Sequence, residues 1–315
     1  MTSPETSMLR SFILVATLLP ALWAAPAQPA RAQAPRVVAD ISPVRSLVMQ
    51  VTRGVEMPPP GLLIRPGISP HDYALRPSEA RMLAEADLVF LVGHVLTPWL
   101  EPPLGALASR AYVIELGEVP GLPLPPLPPD GADSAQGGHG GVDPHLWLNP
   151  DVARIWLPVI ADALAETDPP NSALYRQNAE EAVARIALQE KAIEQRMRPL
   201  AKQPYVVFHD AYRHFEHRFG LSHVDAVQLS DAARPGAAHV SGLRAALEGA
   251  GVVCMFTEPQ FSPRMAERLV EGTPVRLAMI DPLGSTLAPG PGLYGALIDA
   301  IADSFETCLA PEDGQ

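Results

Sequence analysis

The chain has 315 residues, 47% of them apolar, with 23 basic against 35 acidic side chains and a net charge of −12. That length can bury a core for one large domain or two smaller ones. The acidic balance excludes the basic footprint of a nucleic-acid binder and is compatible with attraction of cations.

Arg10 precedes the apolar run SFILVATLLPALWAA, and alanines at 30, 32 and 34 offer A-x-A cleavage sites. Pro20 and the shortness of the run argue against a membrane span, which needs about 20 apolar residues. Residues 1–34 are read as a cleavable signal peptide, and the mature chain as secreted. No cysteine lies in this segment, which argues against a lipid anchor. Cys254 and Cys308 are the two cysteines of the chain. In an oxidising compartment an even pair suggests one disulfide, two buried thiols being the alternative.

RVVADI is the first strand, and PVRSLVMQVTRG has helical spacing ending in Gly54. GLLIRPG is a second strand, RPSEARMLAEA a helix with Pro77 in its first turn, and DLVFLVG and AYVIEL two more strands. Residues 117–144 break this rhythm with a long Pro/Gly-rich loop. NPDVARIWLPVIADALAETD resumes it as a helix, capped by Asn149 with Pro150 in its first position. The stretch from about 170 to 198 then reads as one unbroken helix roughly 43 Å long. YVVFHD, HVDAVQL, VVCMFTEP and VRLAMIDPLG are strands, separated by the helices AYRHFEHRFG, SGLRAALEGAG and SPRMAERLVEG. LYGALIDAIADSFETCLA closes the chain as a helix. The pattern predicts an α/β protein: an N-terminal lobe over 35–168, a long linker helix over 169–199 and a C-terminal lobe over 200–315. Parallel sheets covered on both faces are expected, with chemistry at the carboxyl ends of the strands.

Nine histidines need sorting. His71 follows the strand GLLI, His145 stands where the long loop meets a helix, His209 ends YVVF, and Asp281 ends RLAMI. Three imidazoles and one carboxylate suit a tetrahedral zinc site. No local motif such as HExxH links them, so the spacing alone leaves a shared site open. His94 is a candidate for lining a cleft, and His139, alone in the Gly-rich loop, for an accessory metal contact. His214 and His217 have the i, i+3 spacing of a metal pair or of a solvated helix face. His223 and His239 read as solvated loop residues. No G-x-S-x-G, P-loop or G-x-G-x-x-G motif is present.

The segments SPHDYALRPSEARMLAEADLVFLVG, DPHLWLNP, YVVFHDAYRHFEHRFGL, RPGAAHVSGLR, CMFTEPQFSP and MIDPLG together resemble one family, in family order over most of residues 36–310. It is that of the high-affinity zinc-binding periplasmic proteins of bacterial ABC importers, the cluster A-I solute-binding proteins. The resemblance implies two lobes, each with a mainly parallel four-stranded sheet, joined by one long helix. It implies zinc ligands at His71, His145 and His209, a carboxylate or water from the Asp281 position, and a disulfide between Cys254 and Cys308. Histidine at 209, where manganese-type members typically carry glutamate, favours zinc. Two departures stand out. Pro70 occupies a position where many zinc-type members have an acid, which shifts the search for a fourth ligand to Asp281. The long loop carries one histidine in place of a His/Asp-rich tract, which weakens a metal-collecting role for it.

The expected function is a periplasmic, non-enzymatic zinc receptor delivering Zn2+ to the membrane permease of an ABC importer. A monomer is expected, and a periplasmic metallochaperone is a further candidate partner. The alternatives are a manganese or iron receptor of the same family, a secreted zinc hydrolase with Glu258 or Asp281 as base, and a surface adhesin of related fold.

Overall fold

The computed structural model describes residues 34–126, 142–228 and 237–311. Residues 1–33 of the expected signal peptide and His139 lie outside them, so those expectations concern residues that are not described. Short apolar runs become strands where both sheet faces are covered. Leu88–Leu91 (β3) and Tyr205–His209 (β5) are buried at every position, the pattern of a central parallel strand rather than an alternating one.

In the N-terminal lobe, Val37–Ala39 (β1) pairs in parallel with Gly61–Leu62 (β2) and with β3, and β3 pairs with Tyr112–Glu115 (β4). The order is β2-β1-β3-β4. In the C-terminal lobe, β5 lies between Asp225–Gln228 (β6) and Cys254–Thr257 (β7), and Arg276–Met279 (β8) forms the edge, giving β6-β5-β7-β8. In both sheets the order in which strands are added thus reverses beside the first strand, and the crevice at such a switch point is where open α/β sheets take ligands. Asp40, just past β1, accepts the backbone N–H of Val92 at 2.6 Å and of Ile41 at 2.7 Å, tying the two strands together at that end.

Among the described residues the helices are Ser42–Val51 (α1), Pro77–Ala84 (α2), Glu101–Leu107 (α3), Pro150–Thr167 (α4), Ser172–Met197 (α5), Arg213–Phe219 (α6), Ala237–Gly249 (α7), Arg264–Val270 (α8) and Leu293–Leu309 (α9). α4 starts as its sequence predicts: the Asn149 side chain accepts the N–H of Asp151, with Pro150 behind it. α6 stops at Gly220, whose φ of 70° is the left-handed conformation that ends helices. α3 goes beyond the sequence reading. Its paired prolines, Pro102 and Pro103, look like breakers but sit in the first turn, where no intrahelical N–H is lost. α5, of 26 residues, is the long linker and is close to its expected length. No helix among the described residues is long and apolar enough to cross a membrane.

The principal core is continuous between the lobes. It runs from Val44 and Leu47 on α1 through Ile160 on α4 and Ile186 and Ile193 on α5 to Leu297 and Ile301 on α9. A smaller cluster of Val206, Val227, Leu243 and Met255 fills the other face of the C-terminal sheet. Cys254 at the amino end of β7 is disulfide-bonded to Cys308 in the last turn of α9.

Candidate metal centre

Each candidate histidine is placed by its own local structure. His71 follows β2 in a loop held by Glu79, which accepts the Tyr73 hydroxyl at 2.8 Å and the Arg76 N–H at 2.8 Å. Trp99 donates its indole N–H to the carbonyl of Pro70 at 2.7 Å, fixing the loop immediately before His71. His145 sits where the chain enters a 3-10 turn ahead of α4. His209 is the last residue of β5.

The fold brings these three together. Their ligand nitrogens all lie within 4.8 Å of one another, and His71 Nε2 is 3.1 Å from His145 Nε2. A tetrahedral zinc site with bonds of ~2.0–2.1 Å has edges of about 3.3–3.4 Å, so this donor set fits that ion with small adjustments. The cavity between them, lined also by Trp147, Glu258 and Phe261, has about 10 Å³ of space, room for one ion or water. His145 and His209 are buried, and His71 stands at the mouth.

Acidic side chains stand behind two of the rings. Asp143 Oδ1 accepts both the backbone N–H of His145 at 2.9 Å and its Nδ1–H at 2.7 Å. That pair of bonds fixes the tautomer and turns the Nε2 lone pair toward the cluster. Burial works to raise the Asp143 pKa. The charge of and hydrogen bond from His145, with a smaller contribution from His214, outweigh it and hold the carboxyl well below the usual range. Glu258 Oε2 makes a longer contact of 3.4 Å with His209 Nδ1, and its Oε1 accepts the Tyr212 hydroxyl at 2.9 Å. Three nitrogens, two of them on rings backed by acids, favour a borderline ion such as zinc over the oxygen-preferring manganese.

Asp281 is not part of this cluster. Its Oδ1 accepts Gln260 Nε2 at 3.0 Å and the Leu283 N–H at 3.1 Å, and its Oδ2 accepts the Ser285 N–H at 2.5 Å and hydroxyl at 2.6 Å. A carboxylate with four hydrogen bonds organises its own turn.

Of the other described histidines, His94, His214, His223 and His239 differ from their sequence reading. His214 is fully buried, not on a solvated face, while His217 is exposed. His223 is ion-paired to Glu216 at 2.8 Å and to Asp210 at 3.5 Å, with 13% of its side chain exposed. The backbone of His239 lies in α7 and not in a loop. His94 does not line the cavity; it forms a separate, more exposed group with Glu115 and Glu118. Sequence reasoning missed Asp143. The signal was there: an acid two residues before a histidine reaches both the backbone N–H and the ring.

Two parallel-sheet lobes on one long helix, closing over a cavity lined by imidazoles from both, define a two-lobe solute-binding protein with a candidate metal centre in its cleft. The profile of the zinc-uptake complex component A periplasmic (ZnuA) family matches residues 37–308, and the chain belongs to that family. The high-affinity zinc uptake system protein ZnuA of Paracoccus denitrificans is 38% identical over 312 residues, covering 91% of this chain and 95% of that relative. Its namesake from Brucella suis is 32% identical over 307 residues, covering 87% and 91%. A crystal structure of a zinc-bound ZnuA deletion mutant superposes with a TM-score of 0.76 at 21% identity, covering 89% of this chain and 100% of that one. The laminin-binding adhesin of Streptococcus agalactiae gives 0.74 at 20%, covering 88% and 100%, a likeness of fold.

Proposed function

We propose that this chain is the zinc receptor of a bacterial ABC importer. In this reading residues 1–34 are cleaved on export, and the periplasmic protein, lobes 35–168 and 200–315 on the linker 169–199, captures Zn2+ as a monomer. The ion is cargo, passed to a membrane permease, and a metallochaperone is a candidate donor. The observation that carries the reading is the convergence of His71, His145 and His209 on one ion-sized cavity. Membership of a zinc-uptake family supports it.

Neutral imidazoles bind the ion, Asp143 and Glu258 hold two of the rings in place, and Trp147 and Phe261 help wall off the site. With Asp281 engaged in its own turn, we assign the fourth coordination position to solvent. Calorimetric titration with zinc tests the assignment. His71→Ala, His145→Ala and His209→Ala should each lose at least tenfold in affinity, and unchanged affinity in all three would refute the site. Asp281→Asn should stay within a few-fold of wild type; a loss like that of the histidine variants would make Asp281 a ligand.

The hydrolase reading needs a base facing a metal-bound water. Glu258, an acid lining the cavity, is buried and contacts Tyr212 and His209, which favours the receptor. Competition between Zn2+ and Mn2+ addresses the remaining alternative, with zinc preferred.

A further inference from the structure

His214 takes no part in the three-histidine cluster, yet its ring is fully buried in the first turn of α6, five residues beyond His209. Its Nε2 lies 3.0 Å from the backbone carbonyl of Asp143, which belongs to the other lobe. Burial lowers the pKa of this ring, more than the neighbouring Asp143 raises it, so the neutral form dominates. A neutral ring facing a carbonyl must present Nε2–H as donor, leaving Nδ1 as a bare acceptor. That Nδ1 meets no hydrogen-bond partner among the described residues. A buried ring that leaves one nitrogen unsatisfied to make one bond is an expensive way to fill a core.

The bond is well placed. Asp143 is the residue whose carboxylate grips both the backbone and the ring of His145. Its carbonyl is therefore the handle by which the C-terminal lobe can hold an N-terminal-lobe side chain in register. Nearby, Trp147 donates to the carbonyl of Pro282 at 2.7 Å, and Tyr294 donates to that of Trp147 at 3.0 Å, so the segment 143–147 is braced from the C-terminal lobe at three points. His214 is the brace that acts on Asp143 itself.

We infer that His214 is a positioning residue for metal binding: through the Asp143 carbonyl it fixes His145 from across the cleft before the ion arrives. This rests on the reading of His145 as a zinc ligand. A ligand held in place before binding need not be ordered by binding, so the bond raises affinity without touching the ion.

The test compares His214→Leu, His214→Gln and His214→Asn with wild type and His145→Ala, all as the full mature chain. Zinc affinity is read by chelator competition, and ligand geometry by the absorption spectrum of the Co2+-loaded protein. Glutamine carries an N–H near the place of Nε2, whereas asparagine is one methylene too short. His214→Leu and His214→Asn should lose about tenfold in affinity and alter the Co2+ spectrum, and His214→Gln should recover most of both. If Leu and Asn variants bind like wild type and lose only thermal stability, His214 is a core residue and the inference falls. It falls equally if Gln is as weak as Asn. Should the leucine variant not fold, the Gln/Asn pair makes the same decision. If His145→Ala keeps full affinity, the site assignment itself has failed, a result distinct from either of those.

Discussion

Asp143 keeps a negative charge in a place where only 8% of its side chain is exposed, and it does so by pairing with the ring of His145. Removing that charge should disturb the metal centre without removing a ligand. Asp143→Asn is expected to weaken zinc binding by roughly 10–100-fold, the usual effect of losing a partner behind a metal-bound histidine; competition against a chromophoric chelator measures it. His223 makes a different prediction. Burial disfavours its charged form, but Glu216 at 2.8 Å and Asp210 at 3.5 Å more than offset this and raise its pKa from 6.5 to about 9. The folded state then holds the proton more tightly than the unfolded state. Its stabilisation is complete below pH 6.5 and is lost as pH rises through about 9. Thermal melts of the metal-free protein should show the melting temperature falling across that window. The fall should be shallower in His223→Gln, and parallel curves would remove His223 as the cause.

At the scale of elements, α4, α5 and α6 meet at Glu190, which is 3% exposed and lies between Arg154 and Arg218. Asp151 pairs with both arginines, at 2.7 and 3.1 Å, and closes the network. Glu190→Ala should destabilise by about 2 kcal/mol in urea denaturation, less than the 3–5 kcal/mol for a fully buried pair because both arginines reach solvent. The disulfide acts elsewhere. It ties the amino end of β7 to α9 across 54 residues of chain, a loop whose closure is worth roughly 4 kcal/mol. The double variant Cys254→Ser/Cys308→Ser should lose stability of that order and keep its zinc affinity, since the metal cluster lies at the opposite, carboxyl ends of the strands. These elements were largely legible beforehand, because a buried parallel strand is a short apolar run and every long helix repeats its apolar face. α3 was not, since prolines that open a helix are the same residues that break one. His214 and His223 were misjudged for a related reason: a polar residue on a short helix or loop looks solvated until its buried partner, here a carbonyl or two acids, is known.

Over the whole molecule, the cluster His71–His145–His209 was legible as residue types at strand ends and a loop exit, but its convergence followed only from the family resemblance, because no local spacing joins residues from two lobes. Asp281 shows the converse, a residue of the right type at a strand end whose oxygens were already committed to Ser285 and its neighbours. What holds the lobes together also limits how they move. The core is shared: α1 of one lobe and α9 of the other pack with α5 in the same apolar cluster. Ser46 on α1 donates to the carbonyl of Gly290 at 2.8 Å and accepts the N–H of Tyr294 at 3.0 Å. A wide hinge opening would bring that apolar surface into water at about 25 cal/mol per Å², and would break these bonds as well. Rearrangement of side chains and of the loop carrying His71 exposes far less. Zinc release should therefore proceed by local movement at the mouth of the cleft, with the lobes nearly fixed. Small-angle scattering of the mature protein, whose radius of gyration is about 19 Å if compact, should change by less than ~1 Å between the metal-free and zinc-loaded forms. Hydrogen exchange should slow on loading around residues 69–76, while the braced segment 143–147 and α1, α5 and α9 stay equally protected in both forms. A contraction of several ångströms, or loss of protection along α5 in the metal-free protein, would mean that the shared core opens and that the long helix is a hinge.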